Sequence, residues 1–463
     1  MMTENEKVER LISPEKFYPK DVRRGMMCGN DAFIKSTSEY LDILSESQFW
    51  PVEKLEEIQV LRFNNLSRNI LARSSFWAEN FKKYISKFSE ISDMYKLPVF
   101  RRNTLLKFGE EVFVPPLKDD YPLFERTTSG TTGIPLKLLY SEREMLISFI
   151  PFHFRHPELE RVQISNLLSR KPFVVLGMPG FRLVAEKDFF NKHFPSINSS
   201  DLENKKFRED IYKSIFDTTP AFLMGFASLV LQLAKWANVD QVSLPLLAVR
   251  TTSEQLSIND RRLLKEVFKV PVVDMLNSNG IGVIGFECPS NQGRFHVNAE
   301  SVVVEVVDDD NNILPAGEVG EIVVTSLSHI ITPIIRYAIG DTGRMIDENC
   351  PCGKTLPLFE FYGRRGHEVV LPSGQKIRAV LLHELLSSFG FSKGIKQFQV
   401  KQETVSLIKI FLVSRRPISE KGEINLRILL NKLFGGEKII IEFEYVDKIP
   451  AAHGVKPSFF IPL

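Results

Sequence analysis

The sequence offers little material for an extracellular or membrane-spanning protein. Its 463 residues include only four cysteines, Cys28, Cys288, Cys350 and Cys352. That is too few for a disulfide scaffold at this length, so a reducing compartment that keeps them as thiols or metal ligands is expected. No apolar run approaches the ~18 residues that span a bilayer. The opening stretch MMTENEKVERLISPEK lacks the apolar centre of a signal peptide, and a cytoplasmic location is the default expectation. Neither charge is in excess: 59 Lys and Arg stand against 57 Asp and Glu, a net +2. The basic residues are scattered, which excludes a global attraction to nucleic acid or to an anionic membrane. The sequence has no internal repeat and no low-complexity tract. What is there is 43% hydrophobic, ample for sizeable cores, in a chain long enough for about three structural units.

Periodicity divides the chain. Residues 1 to about 95 are helical in pattern, most clearly in the run from Val52 to Ile85, where apolar side chains recur at three- and four-residue spacing. From 137 to about 340, short β-rich runs (KPFVVLGM, LPLLAVRTT, KVPVVDML, SVVVEVV, GEIVVTS) alternate with helical ones (FASLVLQLAKWA, INDRRLLKEVFK). That alternation predicts an α/β body. After GRRG at 363–366 come about a hundred residues with a helix (AVLLHELLSSF), a hairpin around Glu403-Thr404, a second helix (EINLRILLNKLFG) and a strand (KIIIEFEYV), the pattern of a small α+β unit.

Residues Thr127 to Pro135 read TTSGTTGIP. Gly130 and Gly133 let the backbone turn its N–H groups onto an anion, while Ser129, Thr131 and Thr132 add hydroxyl donors that stay neutral at any pH. The segment is not a Walker A loop, because the glycine spacing and the Lys-Ser/Thr pair are missing. A plain solvent loop is the bland alternative. Gly280 to Gly285 satisfies G-x-G-x-x-G, but the six residues Asp274 to Asn279 separate it from the preceding strand and Pro289 follows soon after, so a dinucleotide fingerprint is not expected. Cys288, His296, Cys350 and Cys352 supply the Cys3His set of a structural zinc site, against the alternative of a core histidine with buried thiols. Cys28 stands alone and suggests no site.

In its exact order, TTSGTTGIP resembles the phosphate-binding loop of the adenylate-forming superfamily, in the branch of phenylacetate-CoA ligases and their capsule-biosynthesis (CapK-like) relatives. The resemblance covers almost the whole chain, including the helices that precede Leu97-Pro98-Val99. It implies an N-terminal AMP-binding domain of several subdomains over 1–362 and a C-terminal lid over 363–463. It further implies that Thr128, Ser129, Gly130, Thr131, Thr132 and Gly133 hold ATP phosphates, with Thr131 also catalytic. In RTTSEQL, Ser253 and Glu254 match a Gly-Glu-Pro-like turn beside the adenine. In ITPIIRYAIGDTGRM, Asp341 matches the residue on the ribose hydroxyls, a task suited to two acceptor oxygens. Arg364 matches a ribose or phosphate contact, and Gly366 stands at the hinge where relatives carry Asp or Lys. Gly177 to Phe181 and Gly225 to Ser228 match regions lining the carboxylate pocket, with Phe181 and Phe226 placed to stack on an aryl acid and Gly280 beside them. Some relatives also share the Cys and His arrangement.

Two departures stand out. Relatives have Tyr-Gly-x-Thr-Glu where this chain has Leu276, Asn277, Ser278, Asn279 and Gly280, so the acidic magnesium ligand is missing and a weakened Mg2+ site is expected. Relatives also have a Gly-Lys pair near the C-terminus; here Val455 separates Gly454 from Lys456, and Lys456 is the stand-in for the catalytic lysine. The resemblance implies an AMP-forming ligase that activates a carboxylic acid with ATP and passes it to CoA or to an amine or carrier acceptor. The alternative is a homologue that binds nucleotide or acyl ligand without catalysis.

Overall fold

The helical pattern over 52–85 becomes two helices, Val52–Arg73 and Ser75–Phe81, separated where Ser74 turns to extended backbone. In this computed structural model, residues 2–23, 31–81, 88–120, 122–128, 136–148, 152, 155, 173–176, 182–183, 204–217, 221–254, 256–278, 281–393, 395–414, 416–449 and 459–463 are described. The Val52–Arg73 helix buries Leu55, Ile58, Phe63, Leu66 and Ile70, the stripe its spacing predicts. A further long helix, Asp31–Ser47, shares a core with Ile58 of this one.

The strands, in chain order, begin with a three-stranded sheet made of β1 (Leu123–Thr128), β2 (Leu136–Ser141) and β4 (Arg182–Leu183). Among the described residues ten others form one sheet: β3 (Phe173–Leu176), β5 (Ala221–Phe226), β6 (Leu246–Thr252), β7 (Val272–Ser278), β8 (Gly282–Cys288), β9 (Asn291–Val297), β10 (Val302–Val307), β11 (Gly320–Ser326), β12 (Tyr337–Ile346) and β13 (Leu358–Arg364). Strands β3, β5, β6 and β7 run parallel. The helices Ala227–Val239 and Ile258–Phe268 carry the crossovers between the last three, as the alternation predicts. Strands β7 to β13 are antiparallel, and their core is Ile284, Phe286, Val297, Ile322, Val324 and Phe359 with their neighbours. The glycine run from 280 ends inside β8, a strand and not a helix, which fits the exclusion of a dinucleotide fingerprint.

After β13 the chain builds a second core. Val369, Leu382, Leu386, Val400, Ile410, Leu426 and Phe460 belong to it, with every member drawn from residues 369–460. A two-stranded ribbon, β14 (Glu368–Val370) with β15 (Lys376–Arg378), leads into the helix Ala379–Lys393. A four-stranded sheet follows, made of β16 (Ile395–Thr404), β17 (Leu407–Ser414), β18 (Ile440–Tyr445) and β19 (Phe460–Ile461). The helix Glu420–Leu433 covers it, started by Ser419, whose hydroxyl accepts from the Gly422 N–H. The hairpin read at Glu403-Thr404 is the β16–β17 turn. No described helix is long and apolar enough to cross a membrane.

One buried ion pair joins the leading helices to the sheet. Arg336, at φ +41, sits just before β12. Its guanidinium is 2.7 Å from Glu305 of β10 and donates to the Tyr95 carbonyl at 2.6 Å and to the Leu97 carbonyl. Phe100 continues the contact as a bridge to Tyr337. Both charged residues are about 3% exposed, so removing one leaves the other buried and unpaired, at a cost of about 3–5 kcal/mol. We expect Arg336→Ala to lower unfolding stability by that amount in urea titration, and Arg336→Met with Glu305→Leu to recover only part of it, because the Tyr95 and Leu97 carbonyls lose their donor.

Candidate active site

The first two residues of TTSGTTGIP, Thr127 and Thr128, end β1, which pairs antiparallel with β2. Thr128 is the last residue of β1 and pairs with Leu136 of β2. Ser129, Gly130, Thr131, Thr132 and Gly133 lie outside the described residues, as do Phe181, Asn279, Gly280 and Lys456. The base of the hairpin is pinned by residues that sequence reasoning missed. Glu144, only 2% exposed, accepts from the Ser141 N–H and hydroxyl with one oxygen, at 2.5 and 2.7 Å. Its other oxygen accepts from the N–H groups of Ile330 and Ile331. Burial raises this carboxyl above its ordinary range, and the four donors pull it back. Thr332 pairs with Leu139 in both directions, at 2.8 and 2.9 Å. The hairpin is thereby fixed to residues 330–332, at the start of the segment that carries Asp341. Nothing in sequence spacing links positions nearly two hundred residues apart.

A second group forms where β5, β6 and β7 end, the side of a parallel sheet on which α/β proteins place ligands. Phe226 ends β5, Ser253 and Glu254 follow β6, and Asn277 and Ser278 end β7. Ser253 adopts φ +64, a left-handed turn that glycine takes at least cost, consistent with the Gly-Glu-Pro-like turn it resembles. Glu254 accepts from the Ser228 N–H at 2.7 Å and so ties this turn back to the start of the preceding helix, Ala227–Val239. Asp341 and Arg364 form a third group. They face each other across β12 and β13, with Arg364 Nε 3.3 Å from Asp341 Oδ1 and Arg364 Nη1 donating to the Ile339 carbonyl at 3.0 Å. Gly366 follows at φ +77, with open space where a Cβ would be.

The four cysteine and histidine residues do come together. Their ligand atoms all lie within 4.8 Å of one another. Cys288 Sγ is 3.3 Å from Cys350 Sγ, Cys350 is 3.3 Å from Cys352, and His296 Nε2 is 3.2 Å from Cys352 Sγ. A tetrahedral ion with bonds of about 2.0–2.3 Å sets such atoms about 3.5–3.8 Å apart, so the three short pairs would open slightly and the widest would draw in to close around a metal. The β8–β9 hairpin supplies Cys288 and His296, and a turn closed by Gly353 supplies the other two. His296 Nδ1 lies 3.4 Å from the Leu356 carbonyl, which fixes the ring with Nε2 toward the sulfurs. Burial pushes the Cys288 thiol up to about 12 and the His296 imidazole down to about 4. The imidazole is therefore neutral and able to ligate, and a bound cation would displace the thiol protons.

Strands β7 and β8 also bring two acids together, the half-buried Asp274 and the buried Glu287. Asp274 Oδ1 accepts from the Thr251 hydroxyl at 2.7 Å, while Glu287 accepts from the Asp274 N–H and is 2.5 Å from Arg261. Burial, then the Glu287 charge, pushes the Asp274 carboxyl up to about 7. An unfolded chain releases that proton near pH 3.9. Between those values the folded state holds more protons, so stability falls as pH rises, with a slope of at most about 1.4 kcal/mol per pH unit. We expect Asp274→Asn, which keeps the acceptor oxygen, to flatten this loss when melting is followed from pH 4 to 8.

Comparison with known proteins agrees with this geometry. Residues 369–461 match the CapK C-terminal domain family. The chain is 23% identical over 428 residues to Protein CapK of Staphylococcus aureus, covering 88% of this chain and 89% of that protein. It is 37% identical to a phenylacetate-coenzyme A ligase of Thermus thermophilus over 70 residues, 15% of this chain and 16% of that one. Among solved structures, 2-hydroxyisobutyryl-CoA ligase in the postadenylation state, in complex with R3-HIB-AMP, superposes with a TM-score of 0.67 at 15% identity, covering 90% of this chain and 91% of that one. The chain therefore shares the fold of this CoA ligase, its C-terminal residues match the CapK C-terminal domain family, and these likenesses support the resemblance to the CapK-like and phenylacetate-CoA ligase-like branch of the adenylate-forming superfamily.

Proposed function

We propose that this chain is an AMP-forming ligase. A carboxylate oxygen of the substrate attacks the α-phosphorus of ATP, the bond to pyrophosphate breaks, and an acceptor thiol or amine then displaces AMP from the acyl-adenylate. CoA is the acceptor the related ligases suggest. The observation that carries this reading is the seating of the β1–β2 pair, through Leu139 and the adjoining Glu144, on residues 330–332 just before Asp341. Thr128, the last described residue of the phosphate-loop motif before β2, and the ribose candidates Asp341 and Arg364 are thereby tied to one stretch of chain. Preorganised donors of this kind stabilise developing phosphate charge. Ser253, Glu254, Asn277, Ser278 and Asn279 are assigned to the nucleotide, and Phe181, Phe226 and Gly280 to the acid. Residues 1–362 form the AMP-binding domain, and 363–463 the lid that delivers Lys456 by turning at Gly366.

Titration calorimetry with ATP, with and without magnesium, tests this without a guess at the acid. We expect micromolar binding that strengthens with magnesium, and a loss of about 100-fold or more in pyrophosphate release for Lys456→Ala once an acid is found. No detectable ATP binding favours the second reading, a non-catalytic homologue, which rests on the missing motif glutamate. Gly280→Glu separates a decayed site, whose turnover it raises, from a rearranged one, which it leaves unchanged.

Cys288, His296, Cys350 and Cys352 are assigned to one structural Zn2+ that staples the β8–β9 hairpin to the turn before β13. Elemental analysis should find about one zinc per chain in protein purified without chelators. We expect Cys350→Ser to lose the metal and lower the melting temperature, and a metal-free preparation that melts as the loaded one does would rule the staple out.

A further inference from the structure

We infer that Arg365, rather than Gly366 alone, defines where the C-terminal unit pivots, by clamping the last body residue to the sheet. The inference rests on reading the C-terminal unit as a moving lid, and it puts the moving part after Arg365 and not at residue 363. Arg365 is exposed, yet it is tied to the body three times. Its N–H donates to the Gly340 carbonyl at 2.9 Å. Its guanidinium lies 2.5 Å from Glu321 of β11 and 2.6 Å from Asp309, in the turn after β10. Glu321, whose side chain is 6% exposed, also receives Arg101 at 2.8 Å, and the same Arg101 nitrogen reaches Asn311 at 2.8 Å. A nearly buried carboxylate shared by two arginines holds its partners more firmly than a solvent ion pair does.

The next residue but one belongs to the other body. The His367 carbonyl accepts from the Ala379 N–H, at the start of the helix Ala379–Lys393. Its ring stands edge-on to Phe460 of the second core, centroids 5.9 Å apart. The body clamp thus ends at Arg365 and the lid contacts begin at His367. Gly366 lies between them at φ +77, in a turn closed by the His367 N–H donating to the Arg364 carbonyl at 3.1 Å, so a single backbone bond has to open for its torsions to turn. The residue that gives this joint its sharpness is Arg365. Without the clamp, the bend would spread upstream through Gly363, also at positive φ, and the lid would swing about a longer and softer segment.

The test reads lid orientation, not turnover. A keto-bearing amino acid at Val239 in the body and at Ile428 in the lid, both exposed, accepts spin labels without touching the cysteines. Distance distributions are then measured on nucleotide-free protein. We expect one narrow peak for the parent chain, a peak about twofold broader for Arg365→Ala as the lid samples more orientations, and an intermediate width for Arg365→Lys, which keeps the charge but not the fork. The melting temperature should stay the same, whereas a merely structural role would lower it and leave the width alone. Asp309→Asn removes the most exposed leg and should broaden the peak slightly without any risk to folding. An unchanged width for Arg365→Ala, or a parent distribution already as broad, overturns the inference. Because ATP is not needed, failure of the ligase reading leaves this result interpretable by itself.

Discussion

The buried pairing of Arg336 with Glu305 is the constraint on which the candidate site depends. It sits in the middle of one stretch, residues 328–341, that ties the β1–β2 pair and the leading helices to the antiparallel strands. Upstream of Arg336, Ile330, Ile331 and Thr332 hold the β1–β2 hairpin through Glu144 and Leu139. At Arg336 the same stretch grips the carbonyls of Tyr95 and Leu97 and so anchors the leading helices. Downstream it becomes β12 and presents Asp341 to Arg364. A charge pair in a dry interior is stable only when its remaining donors find acceptors, and the two carbonyls serve that purpose here. The left-handed backbone at Arg336 is the strain this arrangement tolerates.

The glycines near this stretch follow from close packing. A Cβ on Gly343 would lie 2.3 Å from the Glu360 carbonyl of β13, and one on Gly285 would lie 2.6 Å from the His296 carbonyl of β9. Neighbouring strands leave no room there, so glycine is required by approach distance and not by torsion. The Gly285 contact also sets His296 at the depth where its ring meets the cysteines. A packing constraint in the sheet and the geometry of the Cys and His cluster are in this way one feature.

Much of this was legible before any coordinates. GEIVVTS occupies β11 residue for residue, because its β-branched side chains are buried along the strand and glycine begins it. The helices at 227–239 and 258–268 follow the apolar spacing closely. The Cys and His set was readable because its ligand types are few and chemically distinctive. Glu144 and Arg365 were not. A glutamate in the first turn of a short helix and an arginine in a turn each have a solvated surface as their ordinary fate. Only the fold shows that their partners, Ile330 and Ile331 for one and Glu321 and Asp309 for the other, arrive from distant sequence. The single long helix read over 52–85 also divides at Ser74, a residue whose hydroxyl competes for backbone donors and here accepts from the Trp77 N–H.

The departure at the end of β7 has a physical reading of its own. Leu276, where relatives place an aromatic ring beside the adenine, belongs to the antiparallel core with Ile281, Ile284 and Phe286. That side chain contributes to the interior, so its identity is set by packing volume as well as by any ligand. Replacing tyrosine with leucine at a packed position removes a hydroxyl that would need a partner, and the surrounding strand keeps its register with β8. The hairpin clamp, the Asp341–Arg364 pair and the pivot beside Arg365 remain assembled around this altered strand end. Of these, the Glu144 carboxyl is buried among its four donors, whereas Arg364 and Arg365 are exposed, where ion pairs cost little to keep or to lose. The change at the strand end therefore alters the charge beside the candidate nucleotide residues while the buried carboxyl that seats the β1–β2 pair stays fully bonded.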